Sequence, residues 1–307
     1  MATVRHEIQT RRKGFFMHIL VTGVTGQLGN ELIRALPMRG HTVTGTAREL
    51  CTLPTLPDVS YAALDLTDTG QIRTVFEAAR PEAVMHCAAY TAVDPAEEEP
   101  QLCRLTNETA TEEIAKLCGE YSVPLLYTST EYVFDGSGTQ PFRPEDTPAP
   151  LNVYGASKYA GELAVARFAP KHFIVRISWT YARKGTNFIN TMLSLANTRD
   201  TLRVVTDQIG SPTYIPDLVP LFADMIESGR YGTYHAASAG FCSRYELACE
   251  IFRLAGLSVT VLPIDSTGFP VRALRPKNCR MDTTKLAENG FSPLPSWQDG
   301  LKRYFLE

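Results

Sequence analysis

Residues 18–29 decide the fold and read HILVTGVTGQLG. A short apolar run over residues 19–22 is followed by three glycines at GxxGxxG spacing, and a helical pattern over 27–36 then runs to Pro37. Glycine permits a tight turn and lets the backbone approach a pyrophosphate, while the first N–H groups of a helix attract the phosphate charge. The pattern predicts the first strand–turn–helix unit of a dinucleotide-binding fold, with these cofactor-binding residues: Gly23, Gly26, Gln27, Leu28 and Gly29.

Strands and helices alternate from this motif onward. Further strands are predicted at residues 42–46, 61–64, 83–87, 124–128 and 173–177. Helices are predicted at 70–79, 102–121 and 152–168. Strands separated by helices of this length form a parallel sheet with helices on both faces. We therefore expect an α/β protein with a Rossmann-type doubly wound parallel sheet and a smaller C-terminal substrate-binding lobe.

The domain organisation follows from where this alternation begins and loosens. Residues 1–16 carry basic residues without apolar periodicity and are expected to be a disordered leader. Residues 17–180 are expected to form the NAD(P)-binding domain, whose sheet also receives later segments, and 181–307 mainly the lobe. Helical patterns there cover 187–197, 215–228, 244–255 and 296–305, with short strands near 202–205, 233–235 and 259–262. The Pro-rich segment 131–151 is too long for an ordinary connection, which indicates a functional loop.

Composition excludes several classes of protein. The 307 residues include 30 Lys plus Arg and 33 Asp plus Glu, a net charge of −3, which argues against a nucleic-acid partner. No run approaches the ~18 apolar residues of a membrane span, and the N-terminus lacks the apolar core of a signal peptide. The seven cysteines form no CxxC pair, and the histidines show no ligand spacing. These features predict a cytoplasmic protein with reduced thiols, no membrane partner and no metal site.

Further cofactor contacts are predicted where later strands end. Asp65 can accept a hydrogen bond from an adenine amino group, and Leu66 can pack on the ring; Asp68 is the better cap of the next helix. Ala88 and Ala89 are small enough for a dinucleotide to lie against the sheet edge, and Tyr90 follows them. Close helix packing is the alternative explanation of these small residues, and both interpretations stay open.

The end of the second strand indicates which cofactor is used. An Asp at this position accepts from both ribose hydroxyls and repels a 2′-phosphate, whereas an Arg attracts that phosphate. Residues 44–49 read TGTARE, so the strand tip has no acid and Arg48 follows directly. This predicts that NADPH is preferred and NADH is still usable. The alternative interpretation is that the Arg48 side chain is exposed to solvent and does not contact the cofactor.

Tyr154 and Lys158 are the predicted catalytic pair. Their i, i+4 spacing places both on one helix face, where the Lys ammonium is expected to lower the pKa of Tyr154 toward neutrality. Tyr154 then serves as proton donor to a carbonyl as hydride arrives, and Lys158 also binds the nicotinamide ribose. Thr130, after the fifth strand, completes the site. An exposed aromatic beside a solvated Lys is the alternative reading of the spacing alone.

The chain resembles the extended short-chain dehydrogenases/reductases and, within them, the dTDP-4-dehydrorhamnose reductase family. The blocks that carry the resemblance run from about residue 18 to 283: GVTGQLG, AAYTAVDPAEEEP, STEYVFDG, PLNVYGASKYAGE, VRISWTYARKGTNF, DQIGSPTY and RPKNCRMD. The resemblance implies NAD(P)H-dependent reduction of the C4 ketone of dTDP-4-dehydro-L-rhamnose to dTDP-L-rhamnose. It also implies a set of substrate-binding residues: Glu131, Trp179, Asn187, Gln208 and Arg275.

Two positions depart from the family pattern. Glu131 stands where the family usually has Asp, which moves the carboxylate out by one methylene. Ala182 stands where the family usually has Gly, and an Ala at positive φ is strained. Two other functions stay open: a reductase of another nucleotide-linked 4-keto-6-deoxysugar, and a non-enzymatic protein resembling the regulatory subunit of methionine adenosyltransferase. Monomer and homodimer are both compatible with the sequence.

Overall fold

Strands and helices alternate along the computed structural model, which describes residues 16–268 and 272–306. The strands are β1 (His18–Thr22), β2 (Thr42–Ala47), β3 (Val59–Ala63), β4 (Ala83–His86), β5 (Leu125–Thr130), β6 (His172–Ile177), β7 (Thr180–Tyr181), β8 (Thr201–Val205), β9 (Ile209–Gly210), β10 (Thr213–Tyr214), β11 (Gly232–Ala236), β12 (Cys242–Ser243), β13 (Thr260–Ile264) and β14 (Asn278–Cys279). The helices are α1 (Gln27–Met38), α2 (Thr69–Ala79), α3 (Val93–Glu98), α4 (Pro100–Arg104), α5 (Ala110–Glu120), α6 (Val153–Phe168), α7 (Phe188–Ala196), α8 (Ile215–Ser228), α9 (Arg244–Ala255), α10 (Thr284–Glu288) and α11 (Trp297–Leu306). The predicted leader lies outside the described residues except for Phe16.

Seven strands form the main sheet in the order β11-β6-β5-β4-β1-β2-β3, and every neighbouring pair is parallel. The chain order reverses between β1 and β4. In a doubly wound sheet, ligands bind outside the carboxyl ends of the strands at that reversal. The predicted Rossmann-type fold is therefore confirmed, and its crevice is fixed by topology.

Helices cover both faces of this sheet. Along β1, Ile19 and Val21 point into one apolar core and Leu20 into the other, as the two-residue period of a strand requires. The first core is completed by α1 and α8, the second by α2, α5 and α6. Burial on both faces explains why the strands read as short apolar runs.

The lobe has a third core, formed by α7, α9 and α11 together with β8, β12 and aromatic residues of β7 and β10. β8 and β13 form a two-stranded parallel sheet, and β9 lies between β12 and β14. The predicted strand at 233–235 is β11 and belongs to the main sheet. Among the described residues, no helix combines the length and the apolar character needed to cross a membrane.

The helix predicted over 102–121 is present, but it is not α-helical throughout. The chain forms α4, then one π-helical turn at Leu105–Thr109, and then α5, with no break in the helical backbone between them. The π turn inserts an extra residue into the helix, and such turns often occur at functional sites. Here the turn carries the buried side chain of Asn107, whose contacts are given below.

Candidate active site

One cavity of about 970 Å³ follows the carboxyl ends of the central strands and reaches the lobe. Its walls bring together residues from many separate segments of the chain, from the glycine turn at Gly23 to Arg244 in the lobe. Sixteen of the predicted site residues line it: Gly23, Gly26, Gln27, Leu28, Gly29, Arg48, Asp65, Leu66, Ala88, Ala89, Tyr90, Thr130, Glu131, Tyr154, Lys158 and Trp179.

The glycine turn between β1 and α1 is shaped for a backbone that approaches a ligand. Gly23 has φ +74°, and a Cβ there would lie 2.7 Å from the Cα of Ala88. Gly26 caps α1 without any side-chain hydrogen bond, and the first turn of α1 has no acidic residue. The N–H groups and the positive end of this helix dipole are therefore free to bind a pyrophosphate, which fits a dinucleotide.

Arg48 and Asp65 lie at one end of the cavity, called the adenosine end here because the sequence predicts that the adenosine of a dinucleotide binds there. The Asp65 carboxylate accepts from the backbone N–H of Thr67 at 2.9 Å and from its hydroxyl at 2.8 Å, and these bonds lower the pKa of Asp65. Asp68 accepts from the N–H of Gln71 at 3.0 Å and caps α2, as predicted. Asp65 thus remains an ionised acceptor at the cavity wall.

Asn107 fixes the middle of the cavity, and sequence reasoning missed it. Its amide oxygen accepts from the backbone N–H of Tyr90 at 2.8 Å, and its amide nitrogen donates to the carbonyl of Tyr90 at 3.0 Å. The same nitrogen donates to the hydroxyl of Ser157 at 2.9 Å. Ser157 lies between Tyr154 and Lys158, so Asn107 holds the loop after β4 and helix α6 in one geometry.

Helix α6 presents Tyr154 and Lys158 to the cavity. Its first turn is capped by Asn152, which accepts from the N–H of Gly155 at 2.8 Å. Tyr154 packs edge-on against Tyr132, with 5.6 Å between the ring centroids.

The expectation that Lys158 brings the pKa of Tyr154 toward neutrality is wrong. Burial raises the pKa of Tyr154 above its ordinary value, and the negative charge of Glu131 raises it further. Burial lowers the pKa of Lys158 to about 7, so its positive charge at neutral pH is only partial. Tyr154 therefore stays protonated, which is the form that a proton donor needs.

A buried ion pair lies beneath Lys158 and was not predicted. Glu162, one helical turn after Lys158, accepts from Arg176 of β6 at 2.8 and 2.7 Å and from the Ser129 hydroxyl at 2.6 Å. Its negative charge partly offsets the effect of burial on the pKa of Lys158. The lysine Nζ lies 4.1 Å from the centroid of the Tyr127 ring. Glu162 and Arg176 thus join α6, which carries Tyr154 and Lys158, to strand β6 of the sheet.

Thr130 and Glu131 form the end of β5 and the turn after it. The Thr130 hydroxyl accepts from the backbone N–H of Tyr132 at 3.2 Å and donates to the Glu131 carboxylate at 2.9 Å. Glu131 is only 4% exposed, and burial raises its pKa to about 7. Neutral pH is therefore close to the midpoint of its ionisation.

Trp179 closes the cavity on the lobe side and has φ +45°, an uncommon conformation for a bulky residue. The guanidinium carbon of Arg244 lies 3.5 Å from the centroid of its ring. Ala182, by contrast, does not have a positive φ, and its backbone N–H donates to the Gln27 side chain at 2.8 Å. The strain expected at Ala182 is therefore absent, and the non-glycine residue of this loop with a positive φ is Trp179.

The lining of the main cavity does not include Asn187, Gln208 or Arg275. Asn187 caps α7 and donates to the Gln27 side chain at 3.0 Å. The Gln208 carbonyl accepts from the backbone N–H of Arg244 at 3.3 Å. Arg275 donates to the Asp94 carboxylate at 2.6 and 3.1 Å. The substrate-binding role of these three residues stays a prediction.

The strand order, the glycine turn and the Tyr154–Lys158 pair define a Rossmann-type oxidoreductase of the short-chain dehydrogenase/reductase class. Residues 17–307 match the family model described as RmlD substrate binding domain, and the chain belongs to this family. The resemblance seen in the sequence blocks is confirmed.

Named relatives agree with this placement. The chain is 37% identical over 302 residues to dTDP-4-dehydrorhamnose reductase of Escherichia coli (strain K12), covering 95% of this chain and 98% of that protein. It is 34% identical over 288 residues to dTDP-4-keto-6-deoxy-D-glucose reductase of Streptomyces niveus, covering 93% and 96%. The crystal structure of dTDP-4-dehydrorhamnose reductase from Bacillus anthracis str. Ames in complex with NADP has a TM-score of 0.87 and 38% identity, covering 95% of this chain and 99% of that chain.

Proposed function

We propose that this protein is an NAD(P)H-dependent reductase that converts dTDP-4-dehydro-L-rhamnose to dTDP-L-rhamnose in nucleotide-sugar biosynthesis. The observation that carries the proposal is the meeting of Thr130, Tyr154 and Lys158 with the glycine turn in one cavity. The E. coli relative, which the chain matches over nearly its whole length, bears the name of this reductase.

Tyr154 supplies the proton of the reaction. The bound nicotinamide supplies a hydride to C4, and the ketone oxygen takes the hydroxyl proton of Tyr154, so the carbonyl becomes a secondary alcohol. Burial keeps that proton on Tyr154 until the oxygen gains negative charge. Lys158 binds the nicotinamide ribose and stabilises the phenolate that remains, which regains a proton from solvent. Thr130 and Glu131 orient the sugar beside Tyr154, and Trp179 packs on it.

The cofactor is NADPH in preference to NADH. Arg48 is exposed at the end of β2, lines the cavity and forms no ion pair with the described residues. It is thus available to a 2′-phosphate. The B. anthracis relative was crystallised with NADP, which supports the same choice.

The protein works in the cytoplasm as a monomer or homodimer on a small nucleotide-sugar substrate, without a nucleic-acid or membrane partner. Its net charge of −3 supports the absence of a nucleic-acid partner.

A reductase of another dTDP-linked 4-keto-6-deoxysugar is the second candidate, because the S. niveus relative is named for a different ketosugar. Rates of NADPH oxidation with dTDP-4-dehydro-L-rhamnose and with dTDP-4-keto-6-deoxy-D-glucose, each generated enzymatically, decide between the two. We expect a higher kcat/KM with the L-sugar. Faster turnover of the D-sugar supports the second candidate, and turnover of neither supports a non-enzymatic binding protein.

A further inference from the structure

Three cationic side chains line the main cavity, within the part of the chain that the structure describes. Arg48 lies at the adenosine end and Lys158 beside Tyr154. Arg244, the first residue of α9, lies on the lobe side together with Trp179 and Tyr132. A nucleoside diphosphate sugar brings at least two negative charges into the lobe side of this cavity. Arg244 is the cation there that can meet them.

The guanidinium of Arg244 donates no hydrogen bond to the described part of the chain, so its N–H edge is open to a ligand. Its guanidinium carbon is 3.5 Å from the Trp179 centroid and 5.0 Å from the Phe188 centroid, so the face of the group is used by aromatic rings. The N–H groups of a guanidinium lie in its plane, and they match phosphate oxygens in pairs. No carboxylate within residues 16–268 and 272–306 is at ion-pair distance from Arg244. Arg244 is partly buried, and burial lowers its pKa. A cation in such a position is stabilised by an anionic ligand.

Arg275, the other arginine considered for the substrate, is already neutralised. Asp94 accepts two of its hydrogen bonds, and these bonds raise the pKa of Arg275 despite its burial. Arg275 is also absent from the residues that line the main cavity. Its positive charge is therefore neutralised by a paired carboxylate. The negative charge of Glu131 acts on Arg244 only from beyond ion-pair distance.

The space continues past Arg244. A second cavity of about 140 Å³ is lined by Arg244 and Trp179, which it shares with the main cavity, and by Phe188, Tyr181 and Leu247 among others. A ligand with its sugar at Tyr154 and its nucleoside beyond Trp179 passes the guanidinium.

We infer that Arg244 binds the diphosphate of the nucleotide-sugar substrate and thereby selects nucleotide-linked sugars over free ones. This inference rests on the proposed function. It assigns a substrate contact to the first residue of α9, which is not among the substrate-binding residues that the sequence blocks imply.

Binding of dTDP, dTDP-L-rhamnose and NADPH to Arg244→Met, measured by calorimetry, tests the inference. Met keeps an unbranched side chain against Trp179 and removes the charge. We expect both dTDP ligands to bind about 10–150-fold more weakly, the factor for one charge-assisted hydrogen bond, and NADPH to bind unchanged. Arg253→Met is the control, because Arg253 lies on the same helix, is exposed and pairs only with Glu250. Arg244→Lys keeps the positive charge but cannot offer two parallel N–H donors. We expect its affinity for the dTDP ligands to fall less than that of Arg244→Met.

Three results overturn the inference. Unchanged affinity for dTDP shows that Arg244 does not meet the diphosphate. A loss of affinity for dTDP-L-rhamnose alone, with dTDP binding unchanged, shows that Arg244 only holds Trp179 in position to contact the sugar. A wild-type protein that binds NADPH but neither dTDP ligand contradicts the proposed substrate itself, and this outcome is distinct from the first two.

Discussion

Thr130 donates its one hydroxyl hydrogen to the carboxylate of Glu131 at 2.9 Å. While this bond is made, the hydroxyl cannot donate to a ketone oxygen. Because the pKa of Glu131 is about 7, the carboxylate is close to half protonated at neutral pH, and a protonated Glu131 can donate to Thr130 instead. The carboxyl group of Glu131, at a position where the family usually has Asp, is thus a titrating group against a predicted catalytic hydroxyl.

Glu131→Gln tests the buried state of this carboxyl group. Folding raises the pKa of Glu131 from 4.5 to about 7, so its contribution to stability is present below pH 4.5 and is lost as the pH rises through about 7. Gln does not ionise. Relative to wild type, we expect the free energy of unfolding of the variant to rise by up to about 3 kcal/mol between pH ~4.5 and ~8. Urea unfolding at the two pH values measures this, with the exposed Glu288→Gln as control. If the free energy of unfolding differs between variant and wild type by the same amount at both pH values, the raised pKa of Glu131 is contradicted.

Tyr154→Phe removes the proposed proton donor and leaves the ring in place. We expect kcat to fall by ~10²–10⁴-fold, the usual share of a positioned acid, with NADPH affinity retained. Tyr159→Phe, on the same helix but outside the cavity lining, is the matched control. Steady-state kinetics and NADPH titration of both variants check this. Turnover near the wild-type rate in Tyr154→Phe rules out its role.

Arg48→Ala tests the choice of cofactor. We expect the substitution to raise the KM for NADPH by about 10–150-fold, because one charge-assisted contact to the 2′-phosphate is lost. The KM for NADH should stay nearly unchanged. Arg34→Ala, whose exposed side chain bonds to Asn30 on α1, serves as control. Equal losses with the two cofactors show that Arg48 does not contact the phosphate.

Glu162→Gln breaks the ion pair beneath Lys158. The side chains of Glu162 and Arg176 are 4% and 5% exposed, so the variant leaves a buried arginine without its counter-charge. Removal of one partner of such a pair costs about 3–5 kcal/mol. The exposed Glu120→Gln, which loses a surface contact to Arg73, is expected to cost less than about 1 kcal/mol. Denaturant unfolding measures the stability lost in each variant. A loss in Glu162→Gln as small as that in Glu120→Gln contradicts a structural role for the buried ion pair.

The fold was predictable because its signals are local. The glycine turn after β1, the apolar runs of the strands and the helix at 244–255 each depend on residues close in sequence, and each was found within a few positions. The capping box formed by Ser243 and Glu246 explains why α9 begins where the pattern indicates.

The parts that were missed depend on contacts between distant segments. The π turn at Asn107 exists because one amide must meet both Tyr90 and Ser157, and no periodicity encodes that demand. The pKa of Tyr154 is set by burial and by Glu131, which spacing alone does not show. Arg244 was placed on a helix correctly, but its stacking on Trp179 follows only from the packing of the lobe.

Transfer of deuteride to the product from NADPH that carries deuterium at both hydrogen positions of nicotinamide C4 tests the central claim most directly. The protein is incubated with the labelled cofactor and dTDP-4-dehydro-L-rhamnose, and the sugar nucleotide is analysed by NMR and mass spectrometry. The account predicts dTDP-L-rhamnose with one deuterium at C4 of the sugar for each cofactor oxidised, and a rate that Tyr154→Phe lowers by ~10²–10⁴-fold. Absence of label in the sugar, or label at another carbon, contradicts it.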